Sequence, residues 1–340
     1  MGIDTGGYIV DILMLAFNHD KYIAEAIESV LMQKTDFNYR LIISEDCSSD
    51  GTYNICKHFS LKYKDKILLL RNTENLGLAA NYRNIINKST SKYIALLEAD
   101  DYWIDAYKLQ KQILILEQNE EIGLVHTGYI VLYENGLKKR ANILSNKNKL
   151  QGNILKSLLK ENIIAPLTVC FRANLIKDNI DFDYFVKKKY STIDYALWLE
   201  IAANSKIAYI HEDTSVYRIL STSISNTHDP LKIINFYKTS FDLYESFFLK
   251  NKEYQIYKRQ TINNIYILIA KALVIKDNFQ IAQVYSENIQ SINIESLIIK
   301  TLLKKECYFQ FYLYLYGLFS KIKQSFSSVF NKKVINDKNI

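Results

Sequence analysis

Three carboxylates stand within four consecutive positions of this sequence, at Glu98, Asp100 and Asp101. Clustered carboxylates repel one another unless solvent or a cation neutralises their charge. Oxygen ligands of this kind suit Mg²⁺ or Mn²⁺, and Mg²⁺ usually takes only one or two protein carboxylates together with substrate phosphates. Taken alone, the cluster indicates either a metal-bridged diphosphate site or a solvated acidic turn that precedes the next helix.

The elements that must position these carboxylates alternate between strand and helix along the first hundred residues. Apolar runs predict buried strands at residues 9–17, 41–43, 67–70 and 93–97, with amphipathic or capped helices between them. This alternation predicts an α/β fold with a mostly parallel sheet and helices on both faces. Ligands of such sheets bind outside the carboxyl ends of the strands, which is where Asp46 and the three clustered carboxylates are expected.

Several ordered motifs resemble those of the family-2 glycosyltransferases, which have the GT-A fold. The motifs are LAFN at 15–18, EDCSSDGT at 45–52, NLG at 75–77, YIALLEADDYW at 93–103, DYALWL at 194–199 and VYR at 216–218. KLQKQ at 108–112 and VHT at 125–127 are similar to a subgroup that builds bacterial surface polysaccharides. The resemblance covers residues 8–228, and several motifs in matching order are far more specific than any single one.

The resemblance implies a Rossmann-like GT-A catalytic domain at residues 1–230 that binds a nucleotide sugar. The residues that match nucleotide-binding positions of the family are Ala16, Asn18, Asp46, Glu98 and Asp100. Asp46 would contact the base, which is commonly uracil in the family. Asp100 or Asp101 would bind Mn²⁺ or Mg²⁺, and the other would contact the ribose or the donor sugar.

The later motifs supply the remaining site residues that the resemblance implies. Asp194 matches the general base of inverting members, although its place at a helix start is also typical of a carboxylate that only caps the helix. Arg218 would either face the diphosphate or only close a strand end. Ala16 stands where many relatives have threonine, and Leu220 stands where many have histidine. The first change removes a hydroxyl from the nucleotide pocket, and the second removes a side chain that could contact metal or phosphate.

The motifs and the carboxylates together predict a metal-dependent, inverting glycosyltransferase of the hexosyl or N-acetylhexosaminyl type. Its donor would be a nucleotide sugar, most simply a UDP-sugar, and its acceptor a hydroxyl of a glycan or of a lipid-linked saccharide. The Gln-x-x-Arg-Trp signature of processive synthases is absent, which favours the addition of a single sugar. One alternative is a sugar nucleotidyltransferase, which should carry a Gly-rich basic loop where Asn18-His19-Asp20 stands. The other is a non-catalytic module that binds a nucleotide sugar.

The positive charge of the chain is confined to its last third. The sequence has 43 Lys and Arg against 36 Asp and Glu, a net charge of +7. Residues 231–340 hold 16 of the basic and 8 of the acidic side chains, so the preceding part is close to neutral. A neutral catalytic region argues against nucleic acid as a partner. Residues 231–340 are predicted to form a basic, aromatic-rich helical region.

An aromatic stripe recurs at three- or four-residue spacing from 309 to 330 of this region, with Lys321, Lys323, Lys332 and Lys333 beside or beyond it. The pattern is typical of a helix that lies in the plane of an anionic membrane surface. The alternative is a stripe that packs on the catalytic domain or on a second subunit of a homo-oligomer. No secretory signal, no CxxC spacing and no apolar run of about 20 residues are visible. We therefore expect a cytoplasmic protein, peripheral at the inner face of the cell membrane.

Overall fold

The computed structural model describes residues 7–141, 150–190, 192–220, 229–275 and 279–290. The chain divides into two compact units, of which the first comprises Met1–Thr227 with Lys238–Lys258 and the second His228–Tyr237 with Arg259–Ile340. The sequence predicts one boundary, after residue 230. In the structure His228–Tyr237 belongs to the second unit and Lys238–Lys258 to the first, so one long helix contributes to both units. The aromatic stripe from 309 to 330 lies outside the described residues.

The first unit contains a sheet of nine strands with helices around it. The strands are β1 (Val10–Ala16), β2 (Tyr39–Glu45), β3 (Ile67–Arg71), β4 (Tyr93–Leu96), β5 (Tyr102–Trp103), β6 (Ile122–Tyr133), β7 (Lys138–Arg140), β8 (Cys170–Arg172) and β9 (Lys206–Ile219). The helices of this unit are α1 (Ile23–Leu31), α2 (Thr52–Lys62), α3 (Leu78–Lys88), α4 (Lys108–Gln118), α5 (Leu155–Leu158), α6 (Asn174–Lys177), α7 (Phe182–Lys188) and α8 (Asp194–Asn204). Short 3₁₀ turns occur at Pro166–Thr168 and Lys252–Tyr257.

Three further helices complete the described chain. They are α9 (Pro230–Lys250), α10 (Lys258–Ile275) and α11 (Phe279–Glu287), so the helical character predicted after residue 230 is present as far as the structure describes it. The second half of α9 belongs to the first unit, whereas α11 and nearly all of α10 belong to the second. None of the helices in the described part of the chain is both long and apolar enough to cross a membrane.

The sheet has the strand order β3-β2-β1-β4-β8-β6-β9-β5, with β7 paired to β6. The predicted α/β fold is confirmed, and the first four strands pair in parallel as the alternation of strand and helix requires. Beyond β4 the sheet is mixed, because β8 pairs antiparallel with both β4 and β6 while β9 runs parallel to β6. The sheet is therefore parallel in the half formed by β1 to β4, which is the half for which the alternation of strand and helix predicts parallel pairing.

Strand β1 lies at the centre of this parallel half and is buried on both faces. Ile12 and Met14 pack with Ile27 of α1 in one core, whereas α3 covers the opposite face through residues such as Ile85. Asp11 is the exception to the apolar pattern. Its carboxylate accepts hydrogen bonds from Arg40 Nε (3.0 Å) and the backbone N–H groups of residues 90 and 91 (2.9 and 3.1 Å). A buried charge is tolerated when it is paired and hydrogen-bonded in this way.

Candidate functional site

The carboxyl ends of β2, β1 and β4 lie side by side at one edge of the sheet, because these strands are parallel neighbours. Residues 98–101, which we call the acidic turn, follow β4 directly and are closed by a hydrogen bond from Asp101 N to Glu98 O (3.1 Å). Asp101 is fully buried, whereas Glu98 and Asp100 remain partly exposed. The acidic turn is therefore a built element at the ligand-binding edge rather than a solvated surface loop.

The electrostatics of the acidic turn favour an added positive charge. Burial, together with the neighbouring carboxylates of Asp100 and Asp194, raises the pKa of Glu98 to about 8. Burial and the same turn's other carboxylates raise the pKa of Asp101 well above its usual range. Oε2 of Glu98 and Oδ2 of Asp101 are buried and accept no hydrogen bond from any described residue. These oxygens fit a divalent cation, which would relieve both the repulsion and the missing contacts.

No group of three or more His, Cys, Asp or Glu side chains with metal-binding geometry occurs among the described residues. A cation at the acidic turn would therefore take one or two ligands from Asp100 and Asp101. Its remaining ligands would come from water and a substrate phosphate, which is the usual arrangement for Mg²⁺.

Arg218, near the end of β9, donates hydrogen bonds to two residues of the acidic turn. Its backbone N–H donates to Asp101 Oδ1 (2.7 Å), and its guanidinium Nη1 donates to the Asp100 carbonyl oxygen (2.5 Å). Nη2 donates to the carboxylate of Glu25 in α1, and the guanidinium lies over the rings of Tyr22 and Tyr102 (5.2 and 4.5 Å to the centroids). These contacts agree with the alternative in which Arg218 closes a strand end. Its contact with a diphosphate stays a prediction.

Asp46, which directly follows β2, organises the loop that leads into α3. One oxygen accepts hydrogen bonds from Asn72 Nδ2 (2.8 Å) and Leu76 N (2.9 Å), and the other accepts from Gly77 N (3.0 Å). Gly77 has φ +76°, a left-handed conformation that glycine adopts without strain. Asp46 is almost fully buried, and its ordinary lone-pair capacity leaves one acceptor position on Oδ2.

Asn18 ties the loop after β1 to the loop after β2. Its backbone N–H donates to Ser48 Oγ (3.0 Å), and its side-chain oxygen accepts from Ser49 N (3.0 Å). Asn18 adopts φ +58°, a left-handed conformation for which asparagine is one of the favoured residues. The carbonyl of Ala16 accepts from Asp46 N (2.9 Å). Asn18 and Ala16 therefore both bond to the segment that follows β2, and the predicted role of Ala16, Asn18 and Asp46 in nucleotide binding stays a prediction.

Asp194 is the first residue of α8, and the structure places it within electrostatic range of Glu98 in the acidic turn, which lies far earlier in the sequence. Ile193 occupies the N-cap position and offers no side-chain cap. Asp194 Oδ1 instead accepts a hydrogen bond from Thr192 Oγ1 (2.6 Å), and Oδ2 accepts from Asn162 Nδ2 (3.3 Å). Burial raises the pKa of Asp194, and these hydrogen bonds act in the opposite direction. The negative charge of Asp194 is in turn close enough to raise the pKa of Glu98.

A cavity of about 350 Å³ opens beside Asp194. Its wall contains the aromatic side chains of Tyr129 and Tyr217, which pack edge to face with centroids 6.2 Å apart. The other lining residues are Ala141, Glu161, Asn162, Ile163, Ile164, Ala165 and Pro166. A cavity that combines aromatic faces, a carboxylate and an amide suits a hydroxyl-rich ligand that an aromatic ring can contact.

Sequence reasoning missed three residues of this arrangement. Thr192 is preceded by no motif, and Asn162 lies in a segment without regular periodicity. Tyr82 of α3 has a buried hydroxyl with no hydrogen-bond partner among the described residues, and burial together with the charges of Asp194 and Glu98 raises its pKa well above the usual range. Asn162 and Tyr82 lie far from Asp194 in sequence, so no local pattern indicates them, whereas Thr192 lies only two residues before Asp194.

A family model described as "Glycosyl transferase family 2" matches residues 11–177. The protein Rv1520 of Mycobacterium tuberculosis (strain ATCC 25618 / H37Rv), described as uncharacterized, is 30% identical over 210 residues, which cover 62% of this chain and 58% of the relative. This chain thus matches less than two thirds of that relative's length.

A second relative matches along most of its own length. The Escherichia coli protein named UDP-Glc:alpha-D-GlcNAc-diphosphoundecaprenol beta-1,3-glucosyltransferase WfgD is 32% identical over 222 residues, covering 64% of this chain and 80% of the relative. Among solved structures, the mannosyltransferase PcManGT of Pyrobaculum calidifontis, in complex with GDP-Man and Mn²⁺, superposes with a TM-score of 0.55. That similarity covers 91% of this chain and 84% of PcManGT at 13% identity, so it concerns the fold alone.

Proposed function

Because this chain belongs to glycosyl transferase family 2, we propose that it transfers a sugar from a nucleotide sugar to a hydroxyl group of a saccharide acceptor. The transfer is metal-dependent, inverting and limited to one hexosyl or N-acetylhexosaminyl unit per reaction. The donor is a UDP-sugar, in agreement with the UDP-glucose that the name of WfgD gives for that relative. The acceptor is a glycan or a lipid-linked saccharide, the class to which the diphosphoundecaprenol acceptor in the name of WfgD belongs.

The observation that carries this proposal is that Asp194 lines the cavity and also lies close enough to the acidic turn to raise the pKa of Glu98. Glycosyl transfer needs one place where charge on the leaving diphosphate is stabilised and another where the acceptor loses its proton. Asp100 and Asp101 supply the first place, and Asp194 supplies the second at the wall of the 350 Å³ cavity. The charges of Asp100 and of Asp194 both raise the pKa of Glu98, so both act on the same carboxyl group.

The donor side of the reaction is assigned to the edge formed by β1, β2 and β4. Asp46 offers its remaining acceptor position to an N–H of the base, while Ala16 and Asn18 form the floor of the nucleotide pocket. A divalent cation held by Asp100 and Asp101 would neutralise the diphosphate as it leaves. Among the described residues the Arg218 guanidinium donates to Asp100 O and to Glu25, and we assign a further N–H group of it to a phosphate oxygen.

The acceptor side of the reaction is assigned to Asp194. An acceptor hydroxyl in the cavity attacks the anomeric carbon from the face opposite the diphosphate, so a new carbon–oxygen bond forms as the bond to the diphosphate breaks. Asp194 accepts the hydroxyl proton during this step. A single displacement of this kind inverts the anomeric configuration, and it needs a base with an unprotonated oxygen directed at the acceptor.

The location of the enzyme is part of the proposal. We assign it to the cytoplasm at the inner face of the cell membrane, where the basic region from 231 to 340 contacts anionic lipid or a second copy of the chain. The support is the charge asymmetry of the sequence and the lipid-linked acceptor in the name of WfgD. Flotation with anionic vesicles tests the lipid contact: salt-sensitive binding is expected, and the absence of binding would contradict it.

Thermal unfolding with a panel of nucleotides tests the proposed donor site. UDP, GDP, CMP and dTDP are added separately, each with and without Mn²⁺. We expect a nucleoside diphosphate, UDP first, to raise the melting temperature only when Mn²⁺ is present, and Asp100→Ala to abolish this shift. Asp36→Asn, a change at an exposed aspartate before β2, serves as the control. A wild-type protein that no nucleotide stabilises would contradict the proposal.

A further inference from the structure

The carboxylate of Asp194 is held on both oxygens by side chains from two different segments. Thr192 Oγ1 donates to Oδ1 across 2.6 Å, from the residue two positions before α8. Asn162 Nδ2 donates to Oδ2 across 3.3 Å, from the segment between α5 and the 3₁₀ turn at Pro166–Thr168. Two donors that approach from different directions fix the plane of a carboxylate, which a single hydrogen bond cannot do.

The orientation of the Asn162 amide is itself determined. Its side-chain oxygen accepts a hydrogen bond from the backbone N–H of Ile164 (3.3 Å), so its NH₂ group is the part that remains for Asp194. Asn162 and Ile164 both line the cavity beside Asp194. The contact between Asn162 and Asp194 is therefore part of the cavity wall.

We propose that Thr192 and Asn162 are positioning residues that hold the Asp194 carboxylate in the orientation required to take a proton from a ligand in the cavity. The proposal rests on the function proposed for Asp194 as the base. Thr192 and Asn162 each use one acceptor position of the Asp194 carboxylate, one on either oxygen. Neither Thr192 nor Asn162 accepts the transferred proton, so the effect of each on proton transfer is exerted through Asp194.

The surroundings of Asp194 make such donors necessary. Glu98 follows β4 and brings a carboxyl group close to Asp194, while the charge of Asp194 contributes to the raised pKa of the hydroxyls of Tyr82 in α3 and Tyr195 in α8. Glu161 adds a further carboxyl group to the lining of the same cavity. Burial among these groups raises the pKa of Asp194, and the hydrogen bonds from Thr192 and Asn162 act against that rise, together with those from the backbone of Tyr195 and Asp194.

Removal of the Thr192 hydroxyl should therefore make Asp194 harder to ionise. A hydrogen bond to a charged group is worth enough to shift a pKa by about one unit. Thr192→Val keeps the size and branching of the side chain, while Thr192→Ser keeps the donor and removes a methyl group. We expect the midpoint of Asp194 ionisation to move up by about one pH unit in Thr192→Val and to return towards the wild-type value in Thr192→Ser.

The direct test is the titration of Asp194 itself. It is monitored by ¹³C NMR of the metal-free protein labelled at the aspartate side-chain carboxyl carbons. Asp194→Asn identifies the resonance, and Asn162→Ala provides a second variant in case Thr192→Val folds poorly. Thr35→Val is the matched control, because Thr35 Oγ1 donates to the Phe37 carbonyl (2.7 Å) in the loop before β2, at the opposite edge of the sheet. An unchanged midpoint in both Thr192→Val and Asn162→Ala would overturn the proposal.

Turnover separates this inference from the function on which it rests. With UDP-glucose and a synthetic GlcNAc-diphosphate lipid as probes, the acidic limb of the pH profile of kcat/KM should move to higher pH in Thr192→Val. The direction follows because the base must be ionised, and a higher pKa delays its ionisation. If Asp194→Asn retains turnover, the base assignment fails. If Asp194→Asn is inactive but the Thr192→Val profile is unmoved, only the positioning role fails.

Discussion

The backbone N–H of Arg218 donates to Oδ1 of Asp101 across 2.7 Å, and this bond joins β9 to the turn that follows β4. The two residues are 117 positions apart in sequence. Because Asp101 is fully buried, the bond also compensates part of the cost of placing a carboxyl group in the interior. The acidic turn is thus held by β9, so its geometry depends on a strand that comes much later in the sequence.

Arg218→Ala should destabilise the protein and weaken binding at the acidic turn. The substitution leaves the Asp100 carbonyl without its charged donor and removes two ring contacts, so we expect the free energy of unfolding to fall by about 2 kcal/mol. Urea unfolding measures this change, and the Mn²⁺-dependent shift with UDP should shrink in parallel. Arg140→Ala is the control, because Arg140 pairs with Asp213 at the surface and should contribute less than about 1 kcal/mol. Equal losses in the two variants would contradict the special role of Arg218.

Glu25→Gln tests whether the ion pair itself matters. The Glu25 carboxylate is 54% exposed, so solvent screens its attraction to Arg218. We expect a loss of less than about 1 kcal/mol in urea unfolding and little change in nucleotide binding. A loss as large as that of Arg218→Ala would show that Glu25, rather than the bond to Asp100, is the contact that holds the guanidinium.

Asp46→Asn should disrupt the loop before α3 even though the two side chains have the same shape. Both carboxylate oxygens accept hydrogen bonds, so an NH₂ group on either side would face a donor, Leu76 N or Gly77 N. We expect a loss of about 2 kcal/mol in the free energy of unfolding and the loss of UDP-dependent stabilisation. Asp36→Asn makes the same chemical change at an exposed aspartate and should leave both measurements unchanged. Full UDP binding by Asp46→Asn would rule out the base contact.

The pH dependence of stability should carry a signature of Glu98. Its pKa is about 8 in the folded protein against an ordinary value of 4.5, because burial and nearby carboxylates disfavour the charge. The folded state therefore binds this proton more tightly than the unfolded chain does. As pH rises from about 4.5 to about 8, this group lowers the free energy of unfolding, by at most about 1.4 kcal/mol per pH unit.

Glu98→Gln removes this ionisation, so its stability should fall less than that of the wild type between pH 5 and pH 8 in the presence of a chelator. Urea unfolding at a series of pH values measures the difference. Glu120→Gln, at an exposed glutamate, should follow the wild-type curve. Parallel curves for the wild type and Glu98→Gln would contradict the burial of a carboxyl group that is hard to ionise.

Local sequence patterns were sufficient for the parallel half of the sheet. The apolar run at 67–70 lies in β3 and that at 93–97 corresponds to β4, because an apolar run of this length reports directly on burial within a sheet. His126 of the VHT motif lies on the apolar strand β6 and is a buried, hydrogen-bonded core residue. Its Nε2 lies 2.7 Å from the Leu150 carbonyl oxygen, and burial lowers its pKa to about 4.

The remaining features depend on contacts that no local pattern reports. Lys108 belongs to the KLQKQ motif, but nothing in the motif indicates that its side chain is fully buried. Its ammonium group donates to Gln112 Oε1 (2.7 Å) and lies 4.4 Å from the ring centroid of Trp103, while burial lowers its pKa to about 7. The approach of Asp194 to the acidic turn has the same origin. It results from the tertiary packing of α8, and no pattern among neighbouring residues indicates that packing.

The central claim is that Asp194 takes the acceptor proton while the acidic turn holds the donor, and Asp194→Asn tests it most directly. Binding of UDP with Mn²⁺ is measured by thermal shift, and transfer from UDP-glucose to the GlcNAc-diphosphate lipid by mass spectrometry of the product. The account predicts that Asp194→Asn binds UDP like the wild type and loses transfer by a factor of at least about 100. Transfer by Asp194→Asn at a rate close to that of the wild type would contradict it.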